Sequence, residues 1–474
     1  MSDSSTVVRV RFGRRSQRGM LLGLSPARVC CIGVAVLTVT LGVFIGGASG
    51  LVMSAPVWAS AIGMGFVRLN GSPLVETLPT AAHFLARRVA MQTQFRVSPD
   101  RPSLLGTMAL PGDAASLRFL LDEPSGAVVV HDPHAATLTV VAHVEHTAYV
   151  LLSPDQQARR VAGWGRVLAA LAMSDRCARV QVLETAAPDS GDGIVGWWKA
   201  NGVDGSSWPA TEYARLMESY APAAATHRSL IAFSVKGPTL GSWKPGPLKG
   251  LEELRREMAA FHSGLRAAEL RLVGWLSDVQ LAAVIRGAYD PGTSPRSRRH
   301  ALQTAGPMAV EEHWTHLHHD TGVSAVLWIT EWPRIDVPAD FLHALVFQPG
   351  VRKSFSITAT PLAPRQAMRE IRRAKVEHVT DAEQRARIGA IADLSDAAEL
   401  EDVLDRERAL LSGHADLRFT GLVTITAGTV AELDAAVAQV ERAAVQCGCE
   451  TRRLFGRQAR AFTAAALPLA RKVD

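Results

Sequence analysis

The longest uninterrupted hydrophobic pattern in the chain lies near its N-terminus, where residues 29–67 contain no charged side chain. A helix rises about 1.5 Å per residue and the hydrocarbon core of a bilayer is about 30 Å thick, so this run is long enough for two crossings. The glycine-rich sequence at residues 46–50 interrupts the run in the middle. The pattern therefore predicts a transmembrane hairpin with helices at about 29–45 and 51–67.

Arginines on both sides of this run set its predicted orientation. Six arginines precede the run, with Asp3 as the only acidic residue, and arginines also follow it at positions 68, 87, 88 and 96. Positively charged flanks stay on the cytoplasmic side, so we expect a cell (inner) membrane protein whose N- and C-termini are both cytoplasmic. A cleaved secretory signal is the alternative, although the apolar part of a signal is usually only about 7–15 residues long.

The segment after the hairpin has helical spacing of its apolar residues. Leu74 to Met91 carries an arginine pair, Arg87 and Arg88, and we expect it to lie along the membrane surface or lead into the soluble part. Residues 1–96 are therefore predicted to form one membrane anchor.

Beyond the anchor, the pattern alternates between strands and helices. Short β-like runs between Gly106 and Leu152, among them LRFLL, AVVVHD, ATLTVVAHV and AYVLL, predict a meander, and Pro154 to Met173 predicts a helix. Residues 187–209 look irregular. Helices and strands then alternate up to Gly287, which defines a first α+β unit at 97–287.

A second α+β unit is predicted at 301–474, after a loop rich in Pro, Gly, Ser and Arg. Its pattern gives strands GVSAVLWIT, KSFSITAT and LRFTGLVTITA, a long helical region from Pro364 to Leu411, and a last helix from Arg457 to Ala466. The predicted fold class is thus α+β, a two-helix membrane hairpin followed by a cytosolic body of mixed sheets with flanking helices.

The net charge of +6 comes from the membrane-proximal part of the chain. The first 100 residues hold ten arginines and three acidic residues, and the rest of the chain is close to neutral. This distribution suits contact with anionic lipid and does not predict a nucleic-acid groove. The five cysteines are too few and too scattered for a disulfide framework, which favours the reducing cytosol.

Motifs of common enzyme classes do not occur in the sequence. There is no G-x-x-x-x-G-K-[ST] loop, and the dipeptide Gly-Lys is absent altogether. Neither a G-x-S-x-G elbow, an H-E-x-x-H helix nor a C-x-x-C pair is present. We therefore predict a protein that is not an enzyme, with no catalytic residues and no cofactor.

One polar cluster could bind a metal ion, namely His313, His316, His318, His319 and Asp320. Imidazoles at this spacing can ligate zinc or another divalent ion. Because the segment lies at the edge of a loop just before a strand, solvated or stacked histidines are the favoured interpretation, and no metal site is predicted.

Two other groups have plain structural explanations. Cys447 and Cys449 flank Gly448 at a predicted helix end, so we interpret them as small buried hydrophobes beside a glycine cap. Asp189 and Asp192 lack the further carboxylates of a calcium loop and are interpreted as turn residues.

Two surface features could bind a partner. Trp197 and Trp198 form a pair in the irregular segment and predict a lid over the core or, less favoured, a partner surface. The charged stretch from Arg365 to Arg408 predicts solvated helix faces, and an extended helix of this kind can also serve as a docking lever.

Short motifs occur in a specific order on both flanks of the apolar run: Gly13-Arg14-Arg15, Gly19, Gly23-Leu24, Gly71, Pro73-Leu74-Val75, Leu78-Pro79 and Arg87-Arg88. In this order of motifs the N-terminal region resembles the PrgI family of small two-helix membrane proteins, which in type IV secretion and conjugation systems sit beside the motor ATPase.

The C-terminal half contains Asp405-Arg406-Glu407, Gly413-His414, Val440-Glu441 and the signature Gly456, Gln458, Phe462, Leu467 and Pro468. In these residues it is similar to the non-motor N-terminal domain of conjugation and type IV secretion ATPases. In those ATPases the nucleotide-binding motor follows this signature, whereas this sequence stops at Asp474, so the resemblance transfers no catalytic residue.

Together, the two resemblances imply a structural and coupling subunit of a conjugative, type IV secretion-like machine, similar to the actinobacterial subunits that join a PrgI-like anchor to this soluble domain. The implied partners are a separate motor ATPase, bound in part through residues 413–468, other membrane channel subunits and the lipid bilayer, within a hetero-oligomer. One alternative is an EccE-like component of a type VII secretion system. Another is a membrane-bound hydrolase or metal enzyme that uses the histidine cluster.

Overall fold

The structure, a computed structural model, describes residues 9–10, 12, 25–69, 71–98, 106–146, 149–188, 192–202, 207–220, 225–238, 250–292, 301–387 and 394–473. These residues form a mixed α+β fold with twelve α-helices and a large sheet, as the fold class predicted. The helices are α1 Pro26–Phe66, α2 Leu74–Val89, α3 Pro154–Met173, α4 Asp192–Asn201, α5 Trp208–Tyr220, α6 Leu251–Ala267, α7 Asp278–Tyr289, α8 His343–Val346, α9 Pro364–Arg387, α10 Leu394–Leu411, α11 Val430–Gln446 and α12 Gln458–Ala466.

Seventeen strands accompany them in the described part of the chain. They are β1 Arg9–Val10, β2 Arg68–Leu69, β3 Ser72–Pro73, β4 Gln94–Arg96, β5 Arg118–Asp122, β6 Ala127–Asp132, β7 Thr137–Glu145, β8 Cys177–Pro188, β9 Ala225–Lys236, β10 Arg271–Trp275, β11 Ala309–Glu312, β12 Leu317–His319, β13 Gly322–Glu331, β14 Val337–Pro338, β15 Arg352–Pro361, β16 Leu417–Ala427 and β17 Glu450–Arg453.

The chain divides into two compact units. The smaller unit, which we call the anchor unit after the sequence prediction, comprises residues 15–93 with 455–457, and the body comprises residues 1–14, 94–454 and 458–474. The predicted division of the soluble part at 287/301 is not seen, because β8 from the first half pairs along its length with β15 from the second. The two expected α+β units therefore share one sheet.

In the anchor unit, α1 differs from the two separate helices predicted at 29–45 and 51–67. The apolar run forms one helix element, and it is the one helix among the described residues that is long and apolar enough to cross a membrane. Gly47 alone departs from helical geometry inside it, with φ 55° and ψ −133°. Only glycine adopts this conformation readily, so one residue supplies the break that the sequence analysis assigned to a five-residue turn.

The helix α1 folds back on itself at Gly47. A Cβ atom placed on Gly65 would lie 3.5 Å from the Cβ of Cys31, two positions that would be roughly 50 Å apart on a straight helix. A Cβ on Gly50 would lie 2.0 Å from the carbonyl oxygen of Gly42, so the two limbs approach closely because glycine occurs there. Most large apolar side chains of α1 are exposed, Phe44 and Met53 most of all.

The body is built on a thirteen-stranded sheet in which every pairing is antiparallel. Its main path runs β4-β11-β12-β13-β16-β15-β8-β9-β7-β6-β5, while β10 pairs with β7 and β17 pairs with β13. Successive side chains of a strand point to opposite faces of the sheet, so each strand contributes to different cores on the two faces. In β9, Leu230 and Ala232 lie in one core, and Ile231 and Phe233 lie in another.

Helices cover both faces of this sheet. On one face, α3 and α6 pack on the end that contains β7 and β9, and α8 and α11 pack on the end that contains β13 and β16. On the other face, α7 and α12 form one continuous core with side chains from both ends, such as Leu183 of β8 and Val326 of β13. This continuous core and the pairing of β8 with β15 both join the two halves of the body.

Local sequence signals explain several element boundaries. Helix α3 begins at Pro154 because Ser153 and Gln156 form a complete capping box, and α7 begins after the equivalent pair Ser277 and Gln280. Two predictions were wrong: the run AYVLL forms a short 3-10 helix at Tyr149–Leu151, and the segment thought irregular contains α4 and the start of α5.

Candidate functional site

The histidine cluster is built by the hairpin of β11 and β12. Register pairs Glu311 with His318 across the two strands, and the backbone N–H of His313 donates to the carbonyl of His316 at 2.9 Å to close the connecting turn. His316 and His318 are two residues apart, which places them on the same face of an extended segment. Three imidazoles therefore meet on one side of the hairpin.

Ring geometry shows both stacking and convergence. The rings of His313 and His316 stack with centroids 4.6 Å apart, and His318 meets them edge-on at 5.0 and 4.9 Å. One ring nitrogen from each histidine lies within 4.8 Å of the other two. Among the described residues, this is the one group of three or more His, Cys, Asp or Glu side chains that comes together in a way that could hold a metal ion.

The surroundings keep His316 neutral. Burial is the main reason that its pKa falls to about 4, and the nearby His313, His318 and Arg453 lower it further. Burial and His313 also lower the pKa of His318. Neutral imidazoles have free lone pairs, so no proton has to leave His316 before it can ligate.

Polar neighbours surround the cluster. The hydroxyl of Thr315 lies 2.8 Å from Nδ1 of His316, which orients that ring and leaves its other nitrogen for a ligand. Oε1 of Glu311 lies 3.8 Å from Nε2 of His313. Arg453 is itself paired with Asp434 at 2.9 Å, so its charge near the cluster is partly balanced.

His319 and Asp320, which the sequence placed in the same cluster, have structural roles. His319 is buried, with Nδ1 2.6 Å from the carbonyl of Tyr289 and Nε2 2.7 Å from the hydroxyl of Ser324. Asp320 accepts from the backbone N–H groups of Met308 and Ala309 and pairs with Arg286 at 2.8 Å. Neither residue is available as a ligand beside the other three histidines.

A cleft of about 600 Å³ opens beside this hairpin. Its lining includes Arg96, Glu311, His318, Asp320 and Thr429, a polar set contributed by β4, β11, β12 and the segments after β12 and β16. His318 thus belongs both to the cluster and to the cleft wall.

The cysteine pair agrees with the sequence interpretation. Cys447 and Cys449 are buried in the core under α11, and burial raises the pKa of both thiols, that of Cys449 to about 12. Gly448 between them has φ 71° at the end of α11. Such thiols stay protonated, so this pair is part of the core and has no reactive thiolate.

The tryptophan pair takes two different environments on α4. The ring of Trp198 packs on Tyr213 of α5 at 4.6 Å, whereas Trp197 is exposed. The favoured lid over the core is therefore not formed by Trp197. Asp189 lies outside the described residues, and Asp192 is the first residue of α4.

The charged stretch forms two helices, α9 and α10, held together by ion pairs. Lys375 pairs with Glu407, and Arg406 lies 3.6 Å from Glu370. Their solvent-facing surfaces also carry apolar side chains, since Val376, Val379 and Leu411 are each more than half exposed. We call α9 and α10 the helical hairpin; it combines charge with exposed apolar residues.

The C-terminal signature residues lie inside the body. Gln458 is fully buried, and its side-chain oxygen accepts from the N–H of Val326 in β13 at 2.9 Å. Phe462 packs against Tyr289 and His319 with ring centroids 4.9 and 5.2 Å apart, and Leu467 is also fully buried. These residues fix α12 beneath the sheet.

Gln181 of β8 completes this arrangement, and the sequence analysis missed it. Its side-chain amide donates to the carbonyls of Ala464 and Leu467, both at 3.0 Å, and accepts from the N–H of Ala470 at 2.7 Å. The available signal was a glutamine between two valines in the strand-like run ARVQVLET, because a buried amide needs partners.

A second missed feature is the N-terminal clasp, which consists of β1 and Phe12. Strand β1 pairs antiparallel with β14, and the ring of Phe12 stacks on Trp332 at 5.1 Å and packs on Phe341 at 5.2 Å. Residues that precede the apolar helix therefore belong to the body that follows it.

Among the PrgI-like motifs, Gly13-Arg14-Arg15, Gly19 and Gly23-Leu24 lie outside the described residues. Pro73 directly precedes α2, and Arg87 and Arg88 lie in its last turn, where cations interact favourably with the helix dipole. No model of a known protein family matches the chain, and comparison with curated proteins finds no significant match.

Proposed function

We propose that this protein is a non-catalytic structural and coupling subunit of a conjugative, type IV secretion-like machine in the cell membrane. In this proposal α1 anchors the chain, and the body holds a separate motor ATPase at the membrane surface. The anchor raises the local concentration of the body for any motor that binds it, so a modest interface is sufficient.

The observation that carries the proposal is the N-terminal clasp. β1 precedes α1 and β14 follows it, and the two strands pair within the body. If α1 is inserted in a bilayer, both of its flanks must then be on the same side, which requires an even number of crossings. The break at Gly47 divides the run into two limbs, each about long enough for one crossing.

The clasp also bears on the signal-peptide alternative. Cleavage behind the apolar run would separate Arg9, Val10 and Phe12 from their partners on β14, Trp332 and Phe341. An uncleaved anchor keeps these contacts. Arginines on both flanks then favour the cytoplasmic side for both termini.

Docking of the motor is assigned to exposed residues of the second half of the body. The signature residues are buried, so they hold the fold and cannot contact a partner directly. The helical hairpin offers exposed Val376, Val379 and Leu411 among charged side chains, and a protein interface contains both apolar and charged residues.

Topology is tested with accessibility reporters fused before Met1 and after Asp474 in the full chain. Both reporters should give a cytoplasmic signal. An extracytoplasmic signal from either end, or loss of the N-terminal reporter by cleavage, would contradict the two-crossing anchor.

Docking is tested by capture of the motor from native membranes, with the partner identified by mass. The double variant Val376→Glu/Val379→Glu should lose the ATPase, because two buried carboxylates would disrupt an apolar interface centre. The control Val445→Glu changes an equally exposed valine on α11, outside the hairpin, and should retain the partner. Equal capture by both variants would place the contact elsewhere.

Truncation of residues 413–474 is not a usable test. It would remove β16, which lies between β13 and β15 in the sheet, together with the buried α12. Loss of the partner would then report unfolding of the body, whereas the surface substitutions leave the core unchanged.

A further inference from the structure

The structure assigns His313, His316 and His318 as a binding site for a divalent transition-metal ion of the zinc type. The three side chains come from one short hairpin, and one nitrogen of each lies within 4.8 Å of the other two. This inference does not depend on the proposed function, because it concerns the chemistry of the hairpin alone.

The ligand type selects the class of ion. Three neutral imidazoles suit zinc, copper, nickel or cobalt, whereas magnesium and calcium prefer oxygen ligands. Three histidine ligands also leave a fourth position on a tetrahedral ion open. The nearest carboxylate is Glu311, with Oε1 3.8 Å from Nε2 of His313, so that position can be filled by Glu311 or by water.

The backbone of the site is fixed, and only the side chains need to move. Zinc–nitrogen bonds of about 2.0–2.1 Å in a tetrahedron place ligand nitrogens about 3.4 Å apart, so the rings must close by roughly an ångström. The turn hydrogen bond between His313 and His316 and the pairing of Glu311 with His318 hold the three Cα atoms in place. Closure also requires the stacked rings of His313 and His316, now 19° from parallel, to turn so that their in-plane lone pairs converge on the ion.

The charge around the cluster permits a dication. Arg453 is the cation that faces His316, and it is paired with Asp434, while Glu311 adds a second carboxylate on the opposite strand. Bound metal would link the two ends of the hairpin turn. Because β12 pairs with β13 in the main sheet, the ion would also restrain β11 and β12, which lie near one edge of that sheet.

The experiment uses the full chain in detergent, purified through a tag without histidine and stripped with a chelator. Co²⁺ is the probe, because a tetrahedral nitrogen site gives it a visible absorption, and Zn²⁺ is then added to displace it. We expect one equivalent of Co²⁺ per chain and an increase in the thermal unfolding midpoint with Zn²⁺.

The variant His316→Asn should bind Co²⁺ about 100-fold more weakly or worse, since even an outer-shell change costs roughly 10–100-fold in affinity. The control His262→Asn removes an exposed histidine of α6, outside the cluster, and should bind like the parent. Unfolding midpoints measured in excess chelator identify any variant that is destabilised without metal, in which case His313→Asn replaces it.

Two results would overturn the assignment. One is a parent chain that takes up no Co²⁺ in competition with a weak chelator. The other is a folded His316→Asn or His313→Asn variant whose stoichiometry and affinity equal those of the parent.

Discussion

The buried C-terminal segment of residues 458–470 and the exposed helical hairpin differ in almost every physical respect. In the first, α12 and the tail behind it are enclosed by the sheet and held by buried amides. In the second, α9 and α10 contact each other through partly exposed ion pairs. The residues of the signature from Gly456 to Pro468 therefore maintain the fold, whereas the surface proposed for a partner lies on charged helices whose part in the resemblance is Asp405-Arg406-Glu407.

The largest expected effect tests whether the C-terminal segment is a core element. Phe462→Ala should lower the free energy of unfolding by about 3–5 kcal/mol, because it leaves a cavity between Tyr289 and His319. Leu411→Ala, at an exposed position of the helical hairpin, should change the free energy of unfolding by less than about 0.5 kcal/mol. Urea unfolding of both variants gives the comparison, and similar losses would remove the distinction.

The next effect concerns the buried amide of Gln181. Gln181→Leu leaves the carbonyl of Ala464 and the N–H of Ala470 without this partner, while the carbonyl of Leu467 still accepts from the N–H of Leu469. Two unsatisfied groups at roughly 1–3 kcal/mol each should cost at least about 2 kcal/mol. Gln366→Leu on α9 removes an exposed amide and should be nearly neutral. A neutral Gln181→Leu would show that water or rearrangement replaces the bonds.

A third comparison sets a buried lysine of the sheet, Lys353, against a partly exposed lysine of the helical hairpin, Lys375. Burial lowers the pKa of Lys353 to about 8, and its Nζ donates to the carbonyl of Gln348 at 2.7 Å. Between pH 8 and its unfolded value of about 10.5, the unfolded chain binds more protons, so stability should rise with pH by at most about 1.4 kcal/mol per unit.

Lys353→Met should remove the increase in unfolding free energy with pH and stabilise the protein near pH 7. Lys375→Met in the helical hairpin is the control and should leave that pH dependence unchanged. Unfolding free energies at pH 7, 8, 9 and 10 check both, and an unchanged slope in Lys353→Met would assign the dependence to other groups.

The smallest effect on stability is expected for the ion pair of the helical hairpin. A double-mutant cycle on Lys375 and Glu407 should give a coupling of about 0.2–1 kcal/mol, because both side chains are partly exposed and screened by solvent. A coupling above about 3 kcal/mol would indicate a buried pair and would weaken the contrast with the C-terminal segment.

Local sequence patterns predicted most helices and strands, but they could not predict which distant strands pair with each other. The short β-like runs LRFLL, AVVVHD and ATLTVVAHV became β5, β6 and β7, and the helix from Pro154 to Met173 has the predicted ends. The pairing of β8 with β15 joins segments separated by many elements, and no local signal specifies it. The prediction for AYVLL was wrong for a related reason. Its composition is that of a strand, but Tyr149–Leu151 forms a 3-10 helix and does not pair with a neighbouring strand.

The candidate site shows the same limit. Histidine spacing was visible in the sequence, but the turn that closes between His313 and His316 decided that three rings converge and that His319 points into the core. Likewise, β1 has two residues and is recognisable only through its partner at Val337–Pro338.

The clasp has a consequence for the order of events during biosynthesis. Arg9 and Val10 leave the ribosome before the apolar helix, whereas β14 is made only after most of the sheet, so the pair can close only late. A molecule whose N-terminus had been translocated could never close it, and its Trp332 and Phe341 would remain uncovered by Phe12. In the proposed membrane topology, completion of the fold would then report correct insertion, and misinserted chains would carry an exposed aromatic surface that quality-control proteases and chaperones can recognise.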